Sequence, residues 1–114
     1  MDRDREYLAD ILQSAQLAIT YATGVSRDSF LADTKLQDAV VRRIEIIGEA
    51  AKRLSDATRN AIPRVPWKQV MGMRDVLIHD YGKVDIPRVW DTLQAGLPPL
   101  IAELESYIQR NAGT

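Results

Sequence analysis

Residues 34–54, TKLQDAVVRRIEIIGEAAKRL, place Leu36, Val40, Ile44, Ile47, Ala51 and Leu54 in steps of three and four. That spacing lines one side of an α-helix and forms a continuous core seam. At about 100° per residue, Ala39, Ile46 and Ala50 widen the arc on one side, and Val41 and Gly48 widen it on the other. So broad an arc predicts two packing partners for this one helix. Gly48 sits in mid-helix, where glycine costs about 1 kcal/mol relative to alanine, and close approach of another backbone is the expected offset. Arg43 falls within the same arc, between the directions of Ala50 and Leu36. An arginine there needs a carboxylate, a phosphate or the solvent edge of an interface; snorkelling at the edge of the core is the plain alternative.

Upstream, Leu8, Ile11, Ala15, Ala18, Ile19 and Ala22 predict a helix from about Asp4 to Ala22, ended by Gly24. Ser26 is placed to cap a short helical turn through Phe30, with Phe30 and Leu31 plugging one end of the core. Downstream, Ser55 to Thr58 begin a short helix that Pro63 and Pro66 close. Pro66 and Trp67 then open a helix whose seam is Val70, Met73, Leu77 and Tyr81, with Gly82 as its stop. Asp85 caps a last helix with Pro87 in its first turn and one apolar stripe from Ile86 to Ile108. Pro98-Pro99 removes hydrogen bonds from that stripe without breaking its phase, which predicts a kink there. No stretch alternates in the manner of a strand. The expected fold is an all-α, up-and-down helical bundle of about four main helices with short extra helical turns, one domain over residues 1–114.

With 114 residues, the chain can bury a core without disulfides or a metal. It has no cysteine and one histidine, which removes thiolate nucleophiles, Cys-ligated zinc and His clusters; no metal and no cofactor are expected. The charged start of the chain and the lack of a long apolar run predict an unexported, cytoplasmic protein with no membrane contact. A formal charge of -1 argues against a protein that coats nucleic acid at large. The charge is unevenly spread, however: Lys35 to Trp90 holds 11 Lys and Arg against 7 Asp and Glu, so a local basic surface is open to it.

Proton-transfer chemistry near neutral pH must centre on the single histidine, His79, or be absent. Around it lie Arg74, Asp75 and Tyr81. Arg74 and His79 are about 140° apart on an ideal helix, so the stretch should straddle a helix end, where unpaired carbonyls favour a protonated imidazole. Asp75, one turn before His79, would favour it too. The plain alternative is a surface Asp75–His79 pair, a solvated Arg74 and a Tyr81 that completes the seam. The functional alternative is a phosphodiester: histidine moves a proton of the 2′-hydroxyl or the leaving group, and the guanidinium fork holds the non-bridging oxygens. One histidine cannot easily serve as base and acid together, so a two-fold dimer would supply the second.

Arg74, four residues, His79, any residue and Tyr81 resemble the signature of the HepT-like branch of the HEPN superfamily. The likeness extends to Arg43–Leu54, Pro66-Trp67, Gly72-Met73-Arg74, Leu77-Ile78-His79, Val89-Trp90 and Leu97-Pro98-Pro99-Leu100. The resemblance implies the toxin of a bacterial or archaeal toxin–antitoxin pair: a metal-independent endoribonuclease acting on RNA from a homodimeric cleft, with Arg74 and His79 catalytic. It also implies a partner, an MntA-type nucleotidyltransferase antitoxin that attaches AMP to Tyr81. Arg43 and Glu49 match the second-helix pattern and are expected as cleft or interface support. Some relatives are non-catalytic nucleotide- or substrate-binding subunits of small nucleotidyltransferases, which stands as the alternative.

Overall fold

The computed structural model describes residues 3–78 and 83–112. Among them the chain forms α1 (Asp4–Ala22), α2 (Arg27–Leu31), α3 (Thr34–Arg53), α4 (Asp56–Ala61), α5 (Trp67–Met71), α6 (Met73–Leu77), α7 (Ile86–Asp91), a π-helical turn (Thr92–Gly96) and α8 (Leu97–Asn111). The all-α expectation holds, and the predicted first and second long helices match α1 and α3 almost to the residue. No helix among the described residues is long and apolar enough to cross a membrane.

Local chemistry sets most helix ends. The side chains of Ser26, Asp33, Ser55 and Asp85 each accept a hydrogen bond from the backbone N–H three residues on, satisfying a donor that the helix leaves unpaired. Gly24, with φ of 79°, turns the chain after α1. At the far end of α3, the Arg59 guanidinium donates to the carbonyls of Ala51 and Leu54 at 3.0 and 2.8 Å.

The seam of α3 does what its width demands. Val40, Ile44, Ile47 and Ala51 are buried together with Leu8, Ile11, Ala15 and Ala18 of α1 and with Leu93, Leu97, Leu100 and Leu104 of the last helical run. On its other flank α3 meets α5. A Cβ built on Gly48 would lie 3.5 Å from the Val70 carbonyl oxygen and 3.7 Å from that of Met71, so the close backbone approach expected at this glycine is present. Those distances are ordinary van der Waals contact, which a methyl fills without displacing anything. Gly48→Ala is therefore expected to fold normally and to gain up to about 1 kcal/mol from helix propensity, read as a raised denaturation midpoint; a loss above that size would mean the helices cannot sit at this spacing with a methyl between them.

Asp4 ties the start of α1 to the start of α4, just past the end of α3, in keeping with an antiparallel α1–α3 pair. Its carboxylate accepts from the hydroxyls of Ser55 and Thr58, both at 2.6 Å, and from the Ser55 N–H at 3.1 Å. The Ser55 hydroxyl first, then that of Thr58, holds the carboxyl below its ordinary value of 3.8. Because the folded-state pKa is depressed, this stabilisation is complete above the unfolded value and disappears as pH falls through the folded one. Denaturation across the acid range should show wild type losing more stability below about pH 4 than Asp4→Asn does.

Two local expectations change. The helix predicted from Pro66 to Tyr81 is two helices, α5 and α6, hinged at Gly72, and the second stops at Leu77. Ile78 is extended (φ -110°, ψ 114°) and forms an antiparallel bridge with Val84, while the Asp85 N–H donates to the Leu77 carbonyl at 2.7 Å. A carbonyl satisfied by the returning chain removes the need for another helical turn, and β-branched Ile78 and Val84 suit extended backbone. The place expected for Tyr81 in the seam and for Gly82 as the stop lies outside the described residues. In the last helix, the interruption starts a turn before the prolines. The Leu97 N–H reaches back to the Thr92 carbonyl in the π turn, and Pro98 and Pro99, which have no N–H to donate, follow as the next two residues of α8.

Candidate active site at the end of α6

Arg74 projects from α6 towards α3. Its Nε donates to Glu45 Oε2 at 3.1 Å, with the arginine side chain 54 % exposed and the glutamate 25 %. Neither Nη group pairs with an acidic group among the described residues. A guanidinium gripped at Nε keeps its outward edge of N–H donors for an incoming ligand, and the pairing fixes its plane. Arg42 Nη1 lies 3.9 Å from the other oxygen of Glu45, one helical turn away. The three side chains together carry +1.

Glu45 was not a candidate in the sequence. With Arg42 and Glu49 it forms a charged stripe at steps of three and four along α3, which reads as an ordinary solvated face; only the packing of α6 over α3 gives Glu45 its partner. Glu49 is one turn further along the same stripe and exposed. Arg43 is half-buried on α3 and forms no ion pair among the described residues. Asp75 is exposed on α6, beside Arg74 in sequence, and likewise forms none. Arg43, Glu49 and Asp75 are thus not joined to Arg74 by any direct bond. His79 and Tyr81, named as catalytic and modified residues, lie outside the described residues. Arg74 nonetheless sits in the last turn of a helix, four residues before the extended Ile78, so the expected helix-end setting is present, though the helix stops earlier than predicted. Among the described residues no group of three Asp, Glu, His or Cys side chains converges as a metal site.

Comparison with known proteins bears on the same reading. A family model described as "Ribonuclease HepT-like" matches residues 11–107. A provisionally named RNase of Caldanaerobacter subterraneus subsp. tengcongensis is 39 % identical over 110 residues, covering 96 % of this chain and 98 % of the relative. A "probable ribonuclease HepT" of Thermococcus cleftensis is 37 % identical over 101 residues, covering 89 % of this chain and 92 % of the relative. A provisionally named RNase of Methanocaldococcus jannaschii is 39 % identical over 105 residues, covering 92 % and 87 % respectively. No solved structure matches significantly. The ribonuclease resemblance expected from the motif segments is borne out over most of the chain: it belongs to the HepT-like ribonuclease family.

Proposed function

We propose that the protein is a metal-independent endoribonuclease of the toxin type, in which Arg74 and His79 act on the scissile phosphate. The observation that carries this is the Arg74 guanidinium, held at Nε by Glu45 with neither Nη paired to an acidic group among the described residues, five residues before the chain's only histidine. The 2′-hydroxyl attacks the adjacent phosphorus, the 5′-oxygen leaves with the proton it needs, and a 2′,3′-cyclic phosphate remains. His79 moves the proton, and the Arg74 fork stabilises charge that builds on the non-bridging oxygens. One proton is removed and another delivered on opposite sides of the phosphorus, so a homodimer would contribute the second His79. The broad arc of α3 is largely taken up by α1 and α5, leaving Val41, Arg43 and Ile46 half-buried on its flanks as the part open to a partner copy. Arg43, Glu49 and Asp75 fit this reading as charges flanking the cleft.

Tyr81 is the proposed switch. A nucleotidyltransferase antitoxin joins the phenol oxygen to the α-phosphorus of ATP and pyrophosphate leaves, so that the added phosphate puts negative charge where the RNA phosphate must sit. The test is RNA cleavage before and after incubation with ATP and such a transferase, with mass spectrometry on the peptide holding Tyr81. The expected result is cleavage by the unmodified protein, loss of cleavage with each AMP added, and no addition to Tyr81→Phe. If the unmodified protein binds the transferase and accepts AMP but never cuts RNA, it is a non-catalytic partner subunit instead.

A further inference from the structure

The side of α6 opposite Arg74 borders a second feature. Val76 stands about 200° around α6 from Arg74 and, with Met73 and Leu77, lines one wall of a cavity of about 390 Å³. Pro66 and Val70 extend that wall, and Gly96, Pro99 and Leu100 face it from the last helix. Val76 is 46 % exposed, an unusual state for a valine in the wall of a hollow. Two guanidinia, Arg64 and Arg88, stand on its lining, and neither pairs with an acidic group among the described residues. Gln69, Thr92 and Glu103 add an amide, a hydroxyl and a carboxylate to the same lining.

We infer that this cavity is a subsite for one unpaired nucleotide of the RNA, its base lying among Met73, Val76 and Pro99 and its phosphate facing Arg64 and Arg88. The inference rests on the ribonuclease reading above and deepens it. Volume favours a nucleotide: ligand pockets of small molecules start at about 300 Å³, whereas a docked amphipathic helix needs a groove running past several of its turns. The chemistry agrees. Proline rings, a polarisable thioether and a valine suit the face of a base, an amide and a carboxylate suit its hydrogen-bonding edge, and arginines suit its phosphate. Single-stranded RNA is commonly read by splayed, stacked bases beside a cationic track; here aliphatic side chains and a thioether stand where aromatic rings usually do. Position agrees too. Val76 of the cavity wall and Arg74 lie on different sides of one helix of about 10 Å diameter, so a strand whose scissile phosphate meets Arg74 can bend a neighbouring nucleotide into the hollow.

Two measurements test it. In a His79→Ala protein, which should leave RNA uncut, the affinity for a short labelled single-stranded oligoribonucleotide is measured by fluorescence anisotropy. Val76→Asp, at an exposed position that tolerates a polar side chain, and the pair Arg64→Gln with Arg88→Gln should each weaken binding by about tenfold, near the low end of the loss of one stacked base. The double variant should also flatten the salt dependence by about 0.7 in the log–log slope, for the one phosphate that the two arginines face. Separately, AMP titrated into the protein should shift the methyl resonances of Met73 and Val76, and ribose 5-phosphate should not. The inference is overturned if the groove variants bind RNA as tightly as their parent, or if Lys35→Gln with Lys52→Gln weakens binding equally, meaning diffuse charge. It also falls if those methyls ignore AMP and respond to protein dilution, meaning a second copy fills the hollow. Loss of cleavage in His79→Ala alongside unaffected groove variants would remove this subsite while leaving the ribonuclease reading standing; intact cleavage in His79→Ala would remove the mechanism, and the AMP titration would still decide the cavity.

Discussion

Arg74→Lys is expected to cut RNA cleavage by about a hundredfold or more while leaving thermal stability within about 0.5 kcal/mol of wild type. The two halves of that expectation come from different parts of the geometry. An ion pair whose arginine is 54 % exposed contributes about 0–1 kcal/mol to folding, and lysine retains the charge. Lysine cannot, however, bind Glu45 through one edge and a phosphate through another, because its ammonium has no fork. The loss should fall on kcat more than on KM, since charge on the non-bridging oxygens develops in the transition state. Glu45→Gln gives a finer reading. Glutamine still accepts from Nε, so a smaller fall of about tenfold in kcat is expected, with KM little changed. Were Glu45 only a surface partner of α6, neither parameter would move.

Phe30→Ala is the second large effect, and it falls on stability. The ring is fully buried and stacks at a tilt of 44° on Trp90, with centroids 5.3 Å apart. It wedges α2 between α3 and α7, and the Gln37 side chain holds the Phe30 carbonyl at 2.9 Å. Removing a buried phenyl ring costs about 3–5 kcal/mol. For a chain of this size, that corresponds to a fall in Tm of at least about 12 °C. The neighbouring Leu31 is only half-buried, so Leu31→Ala should lower Tm by much less. Equal effects at both positions would mean that α2 is held by its backbone and not by the aromatic wedge.

The sequence exposed those features whose cause is local. The seam of α3 repeats for five turns, and Ser26, Ser55 and Asp85 carry their own capping chemistry, so helices and ends could be placed before any packing was known. The break at Gly72 and the end of α6 at Leu77 were hidden. Val70, Met73 and Leu77 hold helical spacing through both points, and the deciding contact, the Asp85 N–H on the Leu77 carbonyl, comes from eight residues away. The proline pair announced an interruption in the last helix but not that a π turn would absorb it upstream. At the site, Arg74 was recognisable from its spacing to His79. Glu45 was not, because a glutamate on a charged stripe acquires meaning only when another helix is laid across it.

The central claim is tested most directly by the chemistry of the cut ends. A defined RNA is incubated with purified protein in the presence of EDTA, and the new 3′ termini are identified. Wild type should leave 2′,3′-cyclic phosphates, with Arg74→Ala and His79→Ala leaving the RNA intact. Termini bearing a free 3′-hydroxyl, a requirement for divalent metal, or undiminished cutting by His79→Ala would contradict it.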